Sequence, residues 1–151
     1  MRILVAFDGS AGAVAALEVA ARLTRSHADG GQIVAMSVLN PLVDATDIVA
    51  PTAAEAVTEA ERREWERLAG IVESVDGLDG VEVELVVEEL ARGEDVPEHL
   101  VRAAREREVE LLAISSRRAA GVKGLVLGSV TQHILRLSDV PVLVVRPPSD
   151  G

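Results

Sequence analysis

The segment MRILVAFDGS, residues 1–10, decides the fold of this 151-residue chain. Its apolar run from Ile3 to Phe7 is short and uninterrupted, which is typical of a strand buried on both faces of a sheet. Asp8 and Gly9 end the run, and Ser10 has a side chain suited to capping a helix. The segment therefore predicts a strand that leads directly into a helix, the first half of a βαβ unit.

Strand-like and helical segments alternate in the same way along the rest of the chain. Aliphatic runs predict four more strands, at residues 33–39, 81–89, 111–114 and 142–145. Residues 81–89 alternate with glutamate, as in a half-exposed edge strand. Helices are predicted after Ser10, over residues 51–75 and 95–107, and from Gly128, where Val130, Ile134 and Leu137 form the expected inner face. We expect one α/β domain over residues 1–147 and a tail over residues 148–151.

The composition excludes several classes of function. Twenty-five Asp and Glu residues against 15 Lys and Arg residues give a formal charge of −10, which argues against unaided binding to nucleic acid or to an anionic membrane. The chain has no Cys, so thiolate chemistry and disulfides are excluded. One Trp, one Phe and no Tyr leave no platform for stacking bases. The first apolar run is too short for a signal sequence, and we expect a cytoplasmic protein.

The carboxyl ends of the predicted parallel strands indicate where a ligand binds. In open α/β sheets, ligands lie beyond these ends, here after Asp8, after the segment 37–40 and from Ser115 onward. The helix that begins at Gly128 and Ser129 directs its N-terminus toward the same edge. Its unpaired N–H groups and its dipole favour an anion there. The sequence therefore predicts a phosphate-binding site.

No catalytic or metal-ligating constellation stands out in the sequence. His27, His99 and His133 lie far apart on predicted helices without ligand spacing, and we interpret them as surface residues. Asp44 and Asp47 are candidates for a divalent ion that bridges phosphates, the alternative being solvated loop carboxylates. We expect no enzyme and no metal centre, and slow ATP hydrolysis would be incidental.

Over nearly its full length the chain resembles the universal stress protein family. The opening MRILVAFDGS, the LGSV of residues 127–130 and the PVLVV of residues 141–145 occur in the family's order and at its distances. The resemblance implies an open five-stranded parallel sheet, order 3-2-1-4-5, with helices on both faces, like that of adenine-nucleotide hydrolases. It also implies a homodimer in which the last strands meet across a two-fold axis, through Val142, Leu143, Val144 and Val145. The alternative is that this strand lies inside the sheet with no exposed edge.

The resemblance also bears on whether the chain binds a nucleotide. Family members that bind ATP share the pattern Gly-x2-Gly-x9-Gly-Ser/Thr. This chain resembles them at the end of the pattern, where Gly128 and Ser129 form the final pair. Counting back from them places Arg118 and Ser115 at the two earlier glycine positions, while Gly121 and Gly124 lie too close to Gly128. The contacts that the resemblance implies for ATP or AMP are Ala6, Asp8, Val38, Ser115, Arg118, Gly128, Ser129 and Val130. For Asp8 and Ser129 the alternatives are a turn-capping carboxylate and a plain helix cap.

Three functions remain open from the sequence. The first is a dimeric stress protein in which an adenine nucleotide acts as a switch, with Arg117, Arg118 and Lys123 replacing the missing glycines as phosphate contacts. The second is a nucleotide-independent family member that works by protein–protein contact. The third is a hydrolase or flavoprotein-like relative that shares the fold.

Overall fold

The computed structural model describes residues 1–116 and 127–147. The strands in these residues are β1 (Arg2–Ala6), β2 (Gln32–Leu39), β3 (Glu82–Glu89), β4 (Leu111–Ser115) and β5 (Val142–Val145). The helices are α1 (Ala11–Ser26), α2 (Pro41–Asp44), α3 (Ala53–Glu73), α4 (Val96–Glu106) and α5 (Ser129–Leu137).

The five strands form one parallel sheet in the order β3-β2-β1-β4-β5. β1 is central, and its Ile3 lies between Ile33 of β2 and Leu111 of β4. Because both of its neighbours hydrogen-bond to it, β1 has no open edge, which suits its apolar sequence. The strand order implied by the family resemblance is confirmed.

Helices cover both faces of the sheet, as expected. Alternate residues of β1 point to opposite faces, so Ile3 and Val5 pack with α1 and α3, while Leu4 packs beneath α4 and α5. The core on the face covered by α1 and α3 includes Leu17 and Leu68, both fully buried. Two aliphatic cores therefore hold the sheet between two pairs of helices.

Polar side chains fix where the helices begin. The Ser10 hydroxyl accepts the Ala13 N–H at 3.2 Å at the start of α1. At α4, Asp95 and Glu98 cap each other's backbone N–H groups in a capping box. Asn40 does end β2, but it also caps the one-turn helix α2, in a segment for which the sequence predicted only a loop.

The predicted inner face of α5 is partly wrong. Ile134 is fully buried, but Val130 and Leu137 are 39% and 37% exposed, and Thr131 is buried instead. The Thr131 hydroxyl lies 3.5 Å from the Ser115 carbonyl oxygen, so the first turn of α5 is held against the end of β4 by a polar contact. This contact turns Val130 away from the core.

The two edges of the sheet differ in how they are protected. β3 is an edge strand as predicted; it carries exposed glutamates at both ends, and the Trp65 indole N–H donates to the outward Leu85 carbonyl at 3.3 Å. β5 forms the other edge, so the alternative that it lies inside the sheet is wrong. Its apolar side chains are only partly buried apart from Val145. No helix among the described residues combines the length and apolarity needed to cross a membrane.

We expect Ile134→Ala to lower the free energy of unfolding by about 2–4 kcal/mol, because it opens a cavity in the core between α5 and the sheet. Leu137→Ala on the same helix should lower it by less than about 1 kcal/mol, because that side chain keeps water contact. Urea unfolding with matched m-values measures both. Equal losses would mean that Leu137 faces the core as the sequence predicted.

Candidate functional site

A cavity of about 780 Å³ opens beyond the carboxyl ends of β1, β2 and β4. Its volume falls in the range of small-molecule sites. The amino ends of α1 and α5 and the first turns of α4 complete the walls. The carboxyl ends of the three strands that the sequence predicted to border a ligand site therefore lie at one cavity.

Apolar and polar side chains both line the cavity. The apolar side chains come from the strands, α4 and α5, and include those of Ala6, Met36, Val38, Val96, Leu100, Ile114 and Ile134. The polar side chains are those of Asp8, Ser10, Ser37, Ser115, Ser116 and Thr131. Such a lining accommodates a ligand that carries both an apolar ring and hydrogen-bonding groups.

The turn between β1 and α1 is tightly specified. One Asp8 carboxylate oxygen accepts the Ser10 N–H at 2.9 Å, so the turn-capping role considered for Asp8 is present. Gly9 has a φ of +80°, in the left-handed region that favours glycine. Asp8 itself is exposed at the cavity wall.

Two helix N-termini meet at the cavity. Ala11 and Gly12 of α1 line one wall, and Gly128 and Val130 of α5 line another. The N-cap of α5 is Gly128, which offers no side chain to the first-turn N–H groups. Among the described lining residues Asp8 carries the only charge, so within this wall only the helix dipoles and the backbone N–H groups favour an anion.

Most of the residues predicted for nucleotide contact are brought together. The cavity wall includes Ala6, Asp8, Val38, Ser115, Gly128 and Val130. Ser129 opens α5 between two of these residues but is not part of the wall. Arg118 lies outside the described residues, as do Arg117, Gly121, Lys123 and Gly124.

Several lining residues were missed by the sequence analysis. Val96 and Leu100 of α4 pack in the core beneath that helix and also line the cavity. Thr131 is a buried polar lining residue, although it stands next to the predicted inner face of α5. The available signal is its position three residues before Ile134, which places both side chains on one face of a helix.

A second, more open cavity of about 500 Å³ adjoins the first and shares Asp8, Ser37 and Val38 with it. Asp44 and Asp47 line it, but Asp44 already accepts the Asn40 N–H at 2.6 Å. Within residues 1–116 and 127–147, no group of three His, Asp or Glu side chains is arranged to hold a metal ion.

The prediction that all three histidines lie on the surface is wrong for His99. Its ring is 2% exposed, and its Nε2 and Nδ1 atoms lie 2.8 Å and 2.9 Å from carboxylate oxygens of Glu88 and Glu94. The inner face of α4 carries this polar ring inward because two acidic side chains from β3 and the following loop meet it there. His27 is exposed, and His133 lies 3.3 Å from Asp95 near the surface.

Arginines complete the cluster around the buried His99 ring. Hydrogen bonds from Arg102 and then His99 outweigh desolvation and lower the pKa of Glu94 to about 2. For Glu88, burial alone would raise the pKa, but hydrogen bonds from Arg107 and His99 lower it below its usual value. The cluster ties α4, which forms one cavity wall, to β3.

We expect Glu94→Gln to reduce stability at neutral pH and to lose this effect in acid. The pKa of Glu94 falls from 4.5 to about 2 on folding, so its stabilisation is complete above pH 4.5 and disappears as the pH drops toward 2. Urea unfolding of the wild type and the variant at several pH values measures the gap. Glu73→Gln, at an exposed position with no ion pair among the described residues, is the control. A gap that stays constant down to pH 2 would contradict the assignment.

Several solved structures share this fold. A universal stress protein family member from Burkholderia pseudomallei is 27% identical, with a TM-score of 0.66 over 97% of this chain and 96% of that one. The hypothetical protein MJ0577 has a TM-score of 0.74 at 20% identity, over 99% and 97%. A universal stress protein from Archaeoglobus fulgidus, in complex with dAMP, has a TM-score of 0.55 at 18% identity, over 95% and 94%.

Sequence comparison gives the family directly. No curated protein sequence matches the chain. The model of the universal stress protein family, however, matches residues 1–146, which include every strand and helix described above. The chain belongs to the universal stress protein family.

Proposed function

We propose that this chain is a dimeric stress-response protein that binds an adenine nucleotide in the 780 Å³ cavity and uses it as a switch. The observation that carries the proposal is the meeting of two helix N-termini and apolar side chains in one cavity. A nucleotide has the matching parts, an apolar ring and an anionic tail. The dAMP complex of the Archaeoglobus fulgidus protein supports an adenine mononucleotide as the ligand class.

The base fits among the apolar side chains that line the cavity. Ala6 and Val38 stand at the ends of neighbouring strands, and Val38 has no side-chain polar group to compete for the base edge. Its backbone N–H and C=O are then the groups that read the adenine. Asp8, one of the polar lining residues, follows Ala6 and Phe7 at the end of β1 and is proposed to face the ribose.

The phosphate fits the N-terminus of α5. Gly128 lets the backbone approach the ligand closely, and the first-turn N–H groups supply donors. In sequence, Arg117, Arg118 and Lys123 stand between Ser116 and Leu127, the two residues that flank this wall. In this proposal these cations contact the phosphate in place of the backbone N–H groups that the missing glycines would have exposed.

A nucleotide-independent role is the second candidate. It is favoured by Ser115 and Arg118 at two glycine positions of the ATP-binding pattern. In that case the function lies in surface contacts with a partner protein, and neither candidate needs enzymatic turnover.

We expect Val130→Asp to weaken AMP binding at least about tenfold, because the new carboxylate repels the phosphate. The fold should persist, because Val130 is 39% exposed and an acidic residue in the first turn stabilises a helix. Gln132→Asp adds the same charge on α5 but does not line the cavity, and it should change the affinity less than about threefold. Calorimetric titration with AMP and ATP measures both.

The parent protein decides between the two candidates. Measurable AMP or ATP binding that is lost only in Val130→Asp supports the switch. A wild type that binds neither nucleotide at millimolar concentration would contradict it and leave the nucleotide-independent role.

The homodimer is proposed from the open edge of β5. The Pro141 and Val145 carbonyls accept N–H groups of Leu112 and Ser116 on β4, so the backbone groups of Val142 and Val144 point away from β4. An apolar edge with free backbone groups is suited to pairing with a second copy. β3 is not suited to such pairing, because it carries exposed glutamates at both ends and the Trp65 indole N–H donates to its outward Leu85 carbonyl.

We expect Val144→Pro to convert the dimer into a monomer, because proline removes an N–H from the open edge and none from the β4 ladder. Val83→Pro is the matched control, since β3 presents the Val83 backbone on the same outward side as Leu85. Native mass spectrometry and light scattering give the mass. If Val144→Pro stays dimeric, or if the wild type is monomeric at micromolar concentration, the β5 interface is wrong.

A further inference from the structure

Side chains of α3 contact the β1–α1 turn, which places Asp8 at the cavity. The Arg67 guanidinium Nη2 atom donates to the Asp8 carbonyl oxygen at 2.9 Å. A β-carbon on Gly9 would lie 2.7 Å from the Ile71 Cδ1 atom and 3.0 Å from Arg67 Nη1. The turn therefore rests directly on the side chains of one face of α3.

Arg67 is itself fixed on α3. Its Nε and Nη2 atoms donate to the two Glu64 carboxylate oxygens at 3.0 Å and 2.9 Å, a bidentate pair that sets the plane of the guanidinium. Glu64 also accepts the Ser37 hydroxyl at 3.1 Å. Ser37 precedes Val38 in β2, so the pair reaches the end of the second strand as well.

Among the residues that the structure describes, the other arginines of α3 make no such link. Arg62 pairs with Glu59 and Glu66, and Arg63 pairs with Glu59, all on the same helix. Arg67 and Glu64 differ because they join α3 to the ends of β1 and β2. Those ends carry Asp8 and Val38, two of the residues placed at the nucleotide.

We propose that Arg67, oriented by Glu64, is a positioning residue of the ligand site. It holds the Asp8–Gly9 turn in place. Through Glu64 and Ser37 it also holds the end of β2, so that the two strand ends keep the spacing at which the ligand contacts both. This inference rests on the proposed nucleotide binding for its role, although the holding of the turn exists without ligand. Arg67 lines the adjoining 500 Å³ cavity but not the 780 Å³ cavity, so its proposed action on the ligand passes through the backbone of Asp8.

The test compares Arg67→Met with Arg62→Met. Their side chains are similarly exposed, 50% and 53%, and each substitution removes intrahelical ion pairs, so the general effect on α3 is matched. We expect Arg67→Met to weaken AMP binding about five- to tenfold, because the turn that places Asp8 loses a hydrogen bond that fixes its position. Arg62→Met should bind AMP as the wild type does. Arg67→Lys, which keeps one donor for the Asp8 carbonyl, should recover part of the affinity.

A second measurement does not need ligand. The Ser10 N–H is bonded to Asp8 inside the turn, and its hydrogen exchange, followed by NMR in the apoprotein, should quicken several-fold in Arg67→Met and not in Arg62→Met. Equal exchange in the wild type and both variants would overturn the inference. So would AMP binding by Arg67→Met at wild-type affinity.

The two proposals fail in different ways. If the wild type binds no nucleotide, the proposed function is wrong, and Ser10 exchange alone then decides whether Arg67 holds the turn. If the wild type binds AMP and Arg67→Met loses affinity without recovery by Arg67→Lys and without faster exchange, nucleotide binding stands and the positioning role is overturned.

Discussion

β1 is hydrogen-bonded to a parallel neighbour on each side, β2 and β4, and the site exists because of this double pairing. The chain leaves β1 through α1 to reach β2, and it returns to the other side of β1 through α4 and β4. These connections lie on opposite faces of the sheet, so they diverge at the carboxyl end of β1. The cavity occupies the space between them.

Asp8 is the only charged residue in the described wall, in a protein with a formal charge of −10. Several carboxylates elsewhere are paired with arginines, as Glu59 is with Arg62 and Glu94 with Arg102. The nucleotide proposed above would meet long-range repulsion, which salt screens, and short-range attraction from N–H groups, which salt screens less. Its binding would then depend on the geometry at the helix ends and on the loop cations proposed as phosphate contacts.

The strands could be predicted because buried aliphatic runs lie between turn residues, whereas their order followed only from the resemblance to the family. The face of α5 could not, because two stripes, one through Val130 and one through Thr131, share Ile134 and periodicity does not separate them. His99 was misplaced because its carboxylate partners come from the strand and loop before α4. Within the site, the strand ends could be predicted from the sequence. The contact between Arg67 and Asp8 could not, because it joins positions 59 residues apart.

Ser115, which stands where the resemblance implies the first glycine of the ATP-binding pattern, packs directly against Gly12 of α1. A β-carbon on Gly12 would collide with the Ser115 hydroxyl and lie 3.0 Å from its Cβ atom. The same β-carbon would also lie 3.7 Å from Pro147 Cβ. The serine at position 115 therefore fits because position 12 is a glycine, and a larger residue there would require the end of β4 to shift.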